Sequence, residues 1–195
     1  SLKDSTGKEL TKEQAEYFKD SKVRDSKGNL KVMYHGTSAD FTVFDKGKLS
    51  DGLGFFFTED KREAADYGTP KPFYLNISNP FDAFGDTPID DFIEDAPKYV
   101  DGHFNWDAAV KGLIGAGYDG VLTFSHGVEW YTAFEPEQIK RTDNLNPSAD
   151  PDVRFSLKED ADLQRENAKL KEVNAALREQ FKTTKFAKVD PKELG

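Results

Sequence analysis

"YHGTSADFTVFDKGKLSDGLGFFFTEDKREAADYG", residues 34–68, holds a histidine, three consecutive phenylalanines just behind Gly52 and Gly54, and a tyrosine at helical distance beyond them. Tyr34 ends a short apolar run, so His35 stands where a strand gives way to a loop of small residues. That position can present a ring nitrogen and bare backbone amides. Gly52 and Gly54 permit close backbone approach before "FFFT", and "EDKREAADYG" predicts a short helix. Phe56 and Tyr67 are eleven residues apart. If Phe56 closes a strand and the helix packs back on it, the two rings face each other across a gap. For at least two of Phe55, Phe56 and Phe57 the expectation is plain core packing.

The flanking sequence supplies the rest of a mixed domain. "TKEQAEYFKDS", with Thr11 as N-cap, predicts a short helix. "VRDSKGNLKVMYHGT" predicts two strands around a turn at Lys27, Gly28 and Asn29. Downstream, "KPFYLNISNPFDAF" is strand-like until Asn79 and Pro80 interrupt it. "IDDFIEDAPKYV" and "NWDAAVKGLIGAG" predict helices, and "YDGVLTF" and "EWYTAFEPEQIK" predict strands. These elements make an α+β domain over residues 1–143. A Pro/Asn/Asp-rich linker follows over 144–157, then a C-terminal helix and tail over 158–195. In that helix Leu163, Leu170 and Leu177 recur every seven residues, with Asn167, Asn174 and Phe181 four residues after each. The pattern suits either a parallel coiled coil, giving a homodimer through residues 160–181, or a solitary amphipathic helix.

Composition narrows the function classes. No apolar run nears the roughly 18 residues of a membrane span and "SLKDSTGKEL" is no signal peptide, so the cytoplasm, of the producing cell or of a host, is the expected compartment. The chain has no cysteine and three scattered histidines, which gives no disulfide, thiolate or zinc pattern. The net charge of −9 is uneven: residues 51–140 carry 17 acidic side chains against 6 basic ones. Such a surface disfavours nucleic-acid partners. "GAGYDG" at 115–120 matches a dinucleotide-binding spacing, but it follows a predicted helix and precedes a predicted strand. The fingerprint needs the reverse order, so these glycines cap and turn the chain.

Three fragments then carry a resemblance: "YHGT" at 34–37, "GFFFTEDKREAADY" at 54–67 and "VEWYTAFE" at 128–135. Together they resemble the His-Tyr-Glu class of ADP-ribosyltransferases, shared by diphtheria toxin and the poly-ADP-ribose polymerases. The spacings Phe56 to Tyr67 and Glu129 to Phe134 are similar to those of diphtheria toxin's catalytic domain. "DPDVRFSLKED" followed by a charged helix resembles transferase modules in polyvalent proteins of phages and mobile elements. Covering roughly residues 30 to 140, the resemblance implies a split β-sandwich with flanking helices. It also implies NAD as a consumed substrate, with no metal.

The resemblance assigns roles residue by residue. His35 would hydrogen-bond the adenosine-side ribose, and Gly36 would offer backbone groups to the nicotinamide carboxamide. Phe56 and Tyr67 would sandwich the nicotinamide ring, and Thr37 and Gly54 complete the implied NAD-contacting set. Glu129 would grip the 2′-hydroxyl of the nicotinamide ribose and stabilise the oxocarbenium as nicotinamide leaves, so Glu129 and His35 form the implied catalytic pair. Two departures stand out. The family's middle tyrosine is Phe56 here, which keeps a stacking face and loses a hydroxyl. Gly127 occupies the position where arginine-modifying relatives carry an acid or amide, so arginine is a poor acceptor candidate. Three readings follow: mono-ADP-ribosylation of a macromolecule, with protein favoured; NAD glycohydrolysis or transfer to a phosphate or base; and a non-catalytic interaction module assembled through the C-terminal helix.

Overall fold

The computed structural model describes residues 2–49, 52–154, 166 and 169–178. The chain divides into two compact units, residues 1–156 and 157–195. In the second unit residues 166 and 169–178 are helical, and Leu170, Val173 and Leu177 are exposed along the helix. Of the heptad positions, Leu163, Asn167 and Phe181 lie outside the described residues.

The first unit is α+β, as the sequence predicts. Helix α1 (Lys12–Tyr17) starts at Thr11, whose side chain accepts from the Gln14 amide while the Gln14 side chain accepts from the Thr11 amide. Strand β1 (Met33–Thr37) follows, then β2 (Phe55–Thr58), helix α2 (Lys61–Ala65) and β3 (Thr69–Leu75). The chain continues through β4 (Pro80–Asp82), β5 (Tyr99–Val100), β6 (His103–Phe104) and helix α3 (Trp106–Gly115). Strands β7 (Gly120–Ser125), β8 (Val128–Ala133) and β9 (Ile139–Arg141) complete it. Seven strands form one sheet in the order β4-β7-β8-β2-β1-β3-β9, with only β4 and β7 parallel.

The sheet is nearly cut in two. β1 pairs with β3 at five positions, Met33 to Thr37, but with β2 at Tyr34 and Thr58 alone. Beyond that pair the two halves diverge, so His35 and Gly36 border an opening between strands. This is the split that the resemblance implies.

Alternation along β2 sorts the three phenylalanines. Phe55 and Phe57 are buried with Met33, Phe44, Phe73 and Tyr131 in the main core, whereas Phe56 faces the other side, against the cluster of Leu53, Phe81, Leu113 and Phe134. The core expectation therefore holds for two of the three. α3 covers that second face. Gly112 makes its seat, because a Cβ there would collide with the Phe92 carbonyl.

Expectation and structure differ in places. Residues 23–26, read as the first strand of a pair, form only an isolated bridge, Arg24 with Leu30, and the second strand is β1. Residues 89–100 form a 3-10 turn at Ile89–Phe92 and then β5 instead of a helix. Asp90, Asp91, Glu94 and Asp95 would crowd like charges on one short helix, and Pro97 steers Ala96 away from helical backbone. Residues 144–154, read as linker, lie folded against the domain. Val153 is 1% exposed; its amide donates to Thr42 and its carbonyl accepts from the Arg141 amide. The Lys140 ammonium, itself buried, donates to the carbonyls of Asp150 and Asp152. Among the described residues no helix is long and apolar enough to cross a membrane.

Candidate active site

A cleft of about 780 Å³ opens beside the split, and His35, Gly36, Phe56 and Tyr67 all line it. Each arrives by a separate local cause. His35 sits on β1 just past the last β1–β2 pair, where its Nδ1 lies 2.8 Å from the Phe56 carbonyl. A carbonyl only accepts, so Nδ1 carries the proton and Nε2 is left as an acceptor on a neutral ring. Burial lowers the His35 pKa from its ordinary value, against the opposing pull of that hydrogen bond. The ring is further held by Phe44 at 5.1 Å and Phe57 at 5.3 Å. Because the folded pKa is depressed, protonation is resisted in the native state, and stability falls as pH drops below about 6.5.

Gly36 is set by packing. A Cβ there would fall inside contact distance of the Ala64 carbonyl and 3.0 Å from the Tyr67 Cβ. α2 and the turn carrying Tyr67 therefore sit directly on the β1 backbone, which brings Tyr67 over the split. α2 itself is started by Asp60, whose carboxylate accepts from the Arg62 amide. Tyr67 does not lie flat against Phe56. Its neighbouring ring is Trp130, edge-on at 5.9 Å and 83°.

Three predicted residues lie outside the cleft lining. The Thr37 hydroxyl accepts from the Ala39 amide and shapes the turn after β1. Gly54 (φ +141°) is a point of close approach, since a Cβ would come 2.5 Å from the Ala133 carbonyl on β8. Glu129 lies on β8, opposite Phe124 of β7. Side chains alternate along β8, so Glu129 and the core residue Tyr131 face away from the cleft residue Trp130. The Glu129 carboxylate instead accepts from Lys31 Nζ at 2.6 Å, and Glu59 lies 3.0 Å from the same ammonium. Lys31 precedes His35 by four residues, so its backbone lies at most about 14 Å away. Glu129 thus marks the paired end of the β1–β2 junction, and His35 the divergent end.

Lys31 is the residue that sequence reasoning missed on this side. A lysine within "LKVMY" has to be paired if it is buried, and its side chain is only 11% exposed. Burial works to lower its pKa, but the hydrogen bonds and charges of Glu129 and Glu59 outweigh this and raise it. The ammonium is therefore held charged: its contribution is fully present at neutral pH and is lost only as pH rises above the ordinary lysine range. Lys31→Met is expected to destabilise the domain by about 1–2 kcal/mol at pH 7, at the low end because both carboxylates are partly solvated. The difference from the parent should narrow at high salt, which screens the partly solvated pairs. Melting temperatures at low and high ionic strength check this, and equal losses at both would remove the ion-pair explanation.

Comparison with known proteins decides the family. The model of ADP-ribosyltransferases in polyvalent proteins matches residues 25–149, which contain every strand of the seven-stranded sheet. The chain belongs to this ADP-ribosyltransferase family. No curated protein matches the chain. Among solved structures it is similar to one titled as the crystal structure of an anti-CRISPR protein, at 14% identity over 55% of this chain and 90% of that one. The TM-score is 0.37, too low to carry an argument.

Within this ADP-ribosyltransferase domain the cleft also takes Thr123, Ser125, His126 and Trp130 from the β7–β8 hairpin. Gly127 and His126 both have positive φ, +83° and +53°, which makes the tight turn that swings His126 to within 3.6 Å of Glu63 on α2. The sequence offered one signal for this wall: the alternation of "VEWYTA" places Trp130 opposite to Tyr131 and Glu129.

Proposed function

We propose that the chain is a mono-ADP-ribosyltransferase that consumes NAD and modifies a macromolecule, with protein as the favoured acceptor. The observation that carries this reading is the meeting of His35, Gly36, Phe56 and Tyr67 in one cleft at the split of a family-matched domain. NAD is two riboses joined by a pyrophosphate, so a binding site for it needs sugar contacts at well-separated places. His35 Nε2 suits a hydroxyl of one ribose. The resemblance gives Glu129 the other: its carboxylate, held at Oε2 by Lys31, would have to turn from the opposite face of β8 toward the cleft to accept from a ribose 2′-hydroxyl.

In the reaction the bond between ribose C1′ and nicotinamide N1 breaks, its electron pair passes to the ring nitrogen, and the pyridinium charge is lost as positive charge grows on the ribose. A carboxylate brought beside that ribose would stabilise the developing charge. An acceptor nucleophile then bonds to C1′ and releases its proton. The acidic middle of the chain disfavours nucleic acid as acceptor, and Gly127 leaves no acid or amide to recognise arginine.

Tyr67→Ala tests the cleft. Loss of one aromatic wall against a charged ring should weaken NAD binding by about 1–2 kcal/mol without unfolding the domain, because the ring is 68% exposed. Calorimetric titration of NAD into parent and variant reads it. Unchanged affinity would take Tyr67 out of the site, and no NAD binding by the parent would overturn the function.

A further inference from the structure

We infer that Trp130 is a ligand-binding residue of the cleft and that its indole N–H donates to an oxygen of the nicotinamide-riboside half of NAD; this rests on the NAD reading above. Two independent observations meet at this side chain. Trp130 lines the cleft, and its Nε1 is buried without a hydrogen-bond partner among the described residues. An indole N–H can only donate, and buried donors almost always have an acceptor. A cleft wall that carries an unanswered donor is prepared for an oxygen brought by something else.

The ring's position is fixed by the sheet. Trp130 is paired on one side with Thr58 of β2 and on the other with Thr123 of β7, so its backbone is held by two neighbouring strands. Tyr67 is the exposed partner, standing edge-on against the indole. Being exposed, the Tyr67 ring can turn without disturbing the core and so offer a flat face to an incoming nicotinamide. Trp130 would then supply both a third aromatic wall and the donor that selects an oxygen-bearing ring substituent or sugar. Thr132 Oγ1, the other buried atom without a partner among the described residues, lies two residues further along the same face of β8 but outside the cleft lining, so it takes no part.

The test uses the full chain and carbocyclic NAD, which cannot release nicotinamide. The chain has two tryptophans, Trp106 and Trp130, so the difference between the parent and Trp130→Phe isolates the emission of Trp130. Phenylalanine keeps a ring and removes the N–H. The expected result is a saturable emission change in the parent that is absent from Trp130→Phe, and an affinity in that variant lowered about 3-fold to 10-fold, as for one lost hydrogen bond. If the parent binds with no change in Trp130 emission and the variant binds equally well, this inference is overturned while the NAD reading stands. If neither protein binds, the NAD reading fails and takes the inference with it. Should Trp130→Phe not fold, the indole N–H resonances of the parent decide between the same outcomes: one of the two moves on adding the analogue, or neither does and the inference falls.

Discussion

Glu129→Gln is expected to slow nicotinamide release from NAD roughly 100-fold to 1,000-fold while leaving NAD affinity nearly unchanged. Glutamine keeps the shape of the side chain and an oxygen for a ribose hydroxyl, but it removes the charge that matters only as the oxocarbenium forms. Loss of turnover without loss of binding is the signature of such a group. The substitution also leaves Lys31 with Glu59 as its remaining acid, so its effect on folding should be modest. Glu137→Gln is the matched control: it lies beyond β8, and Tyr17 uses its backbone carbonyl, not its side chain. The control should retain parental turnover. Equal turnover in Glu129→Gln and the parent would remove Glu129 from the chemistry and return it to a structural partner of Lys31.

Gly36→Ala is expected to cost about 1–3 kcal/mol of stability and more than 10-fold in NAD affinity. The added methyl would meet a backbone carbonyl, that of Ala64, and the base of the Tyr67 side chain. Neither can rotate away, so α2 must lift from β1, and Tyr67 would leave the cleft with it. Gly115→Ala provides the contrast. It lies at the end of α3 with nothing within 4 Å of a built Cβ, and alanine there should be neutral or slightly stabilising. Thermal melting and calorimetric titration of both variants check the pair. A Gly36→Ala protein that melts and binds like the parent would contradict the packing that places Tyr67.

What the sequence made legible was local and periodic. The "FFFT" strand, the α2 helix and the Thr11 N-cap each depend on neighbours within a few residues, and short-range rules read them. The sorting of Phe55 and Phe57 inward and Phe56 outward follows from strand alternation alone. Three features were not legible, because each depends on distant partners. Residues 144–154 look like a linker by composition, yet the backbone of Val153 closes onto Thr42 and Arg141. Lys31 looks out of place in an apolar run until Glu59, just past β2, and Glu129, on β8, arrive beside it. Trp130 reads as a bulky strand residue, and only the pairing of β8 between β2 and β7 turns it into the cleft wall. The spacing of Phe56 and Tyr67 brought both residues to the cleft, but the ring beside Tyr67 is supplied by that later strand.

The most direct measurement of the central claim is incubation of the protein with NAD labelled on its adenylate phosphate, alone and with a cell lysate, followed separately for free nicotinamide and for label on macromolecules. The account predicts nicotinamide release together with label that is retained on protein, resists nuclease and is lost on protease treatment, with both signals falling together in Glu129→Gln. Release with only free ADP-ribose would make water the acceptor. NAD left intact, with and without lysate, would contradict the account.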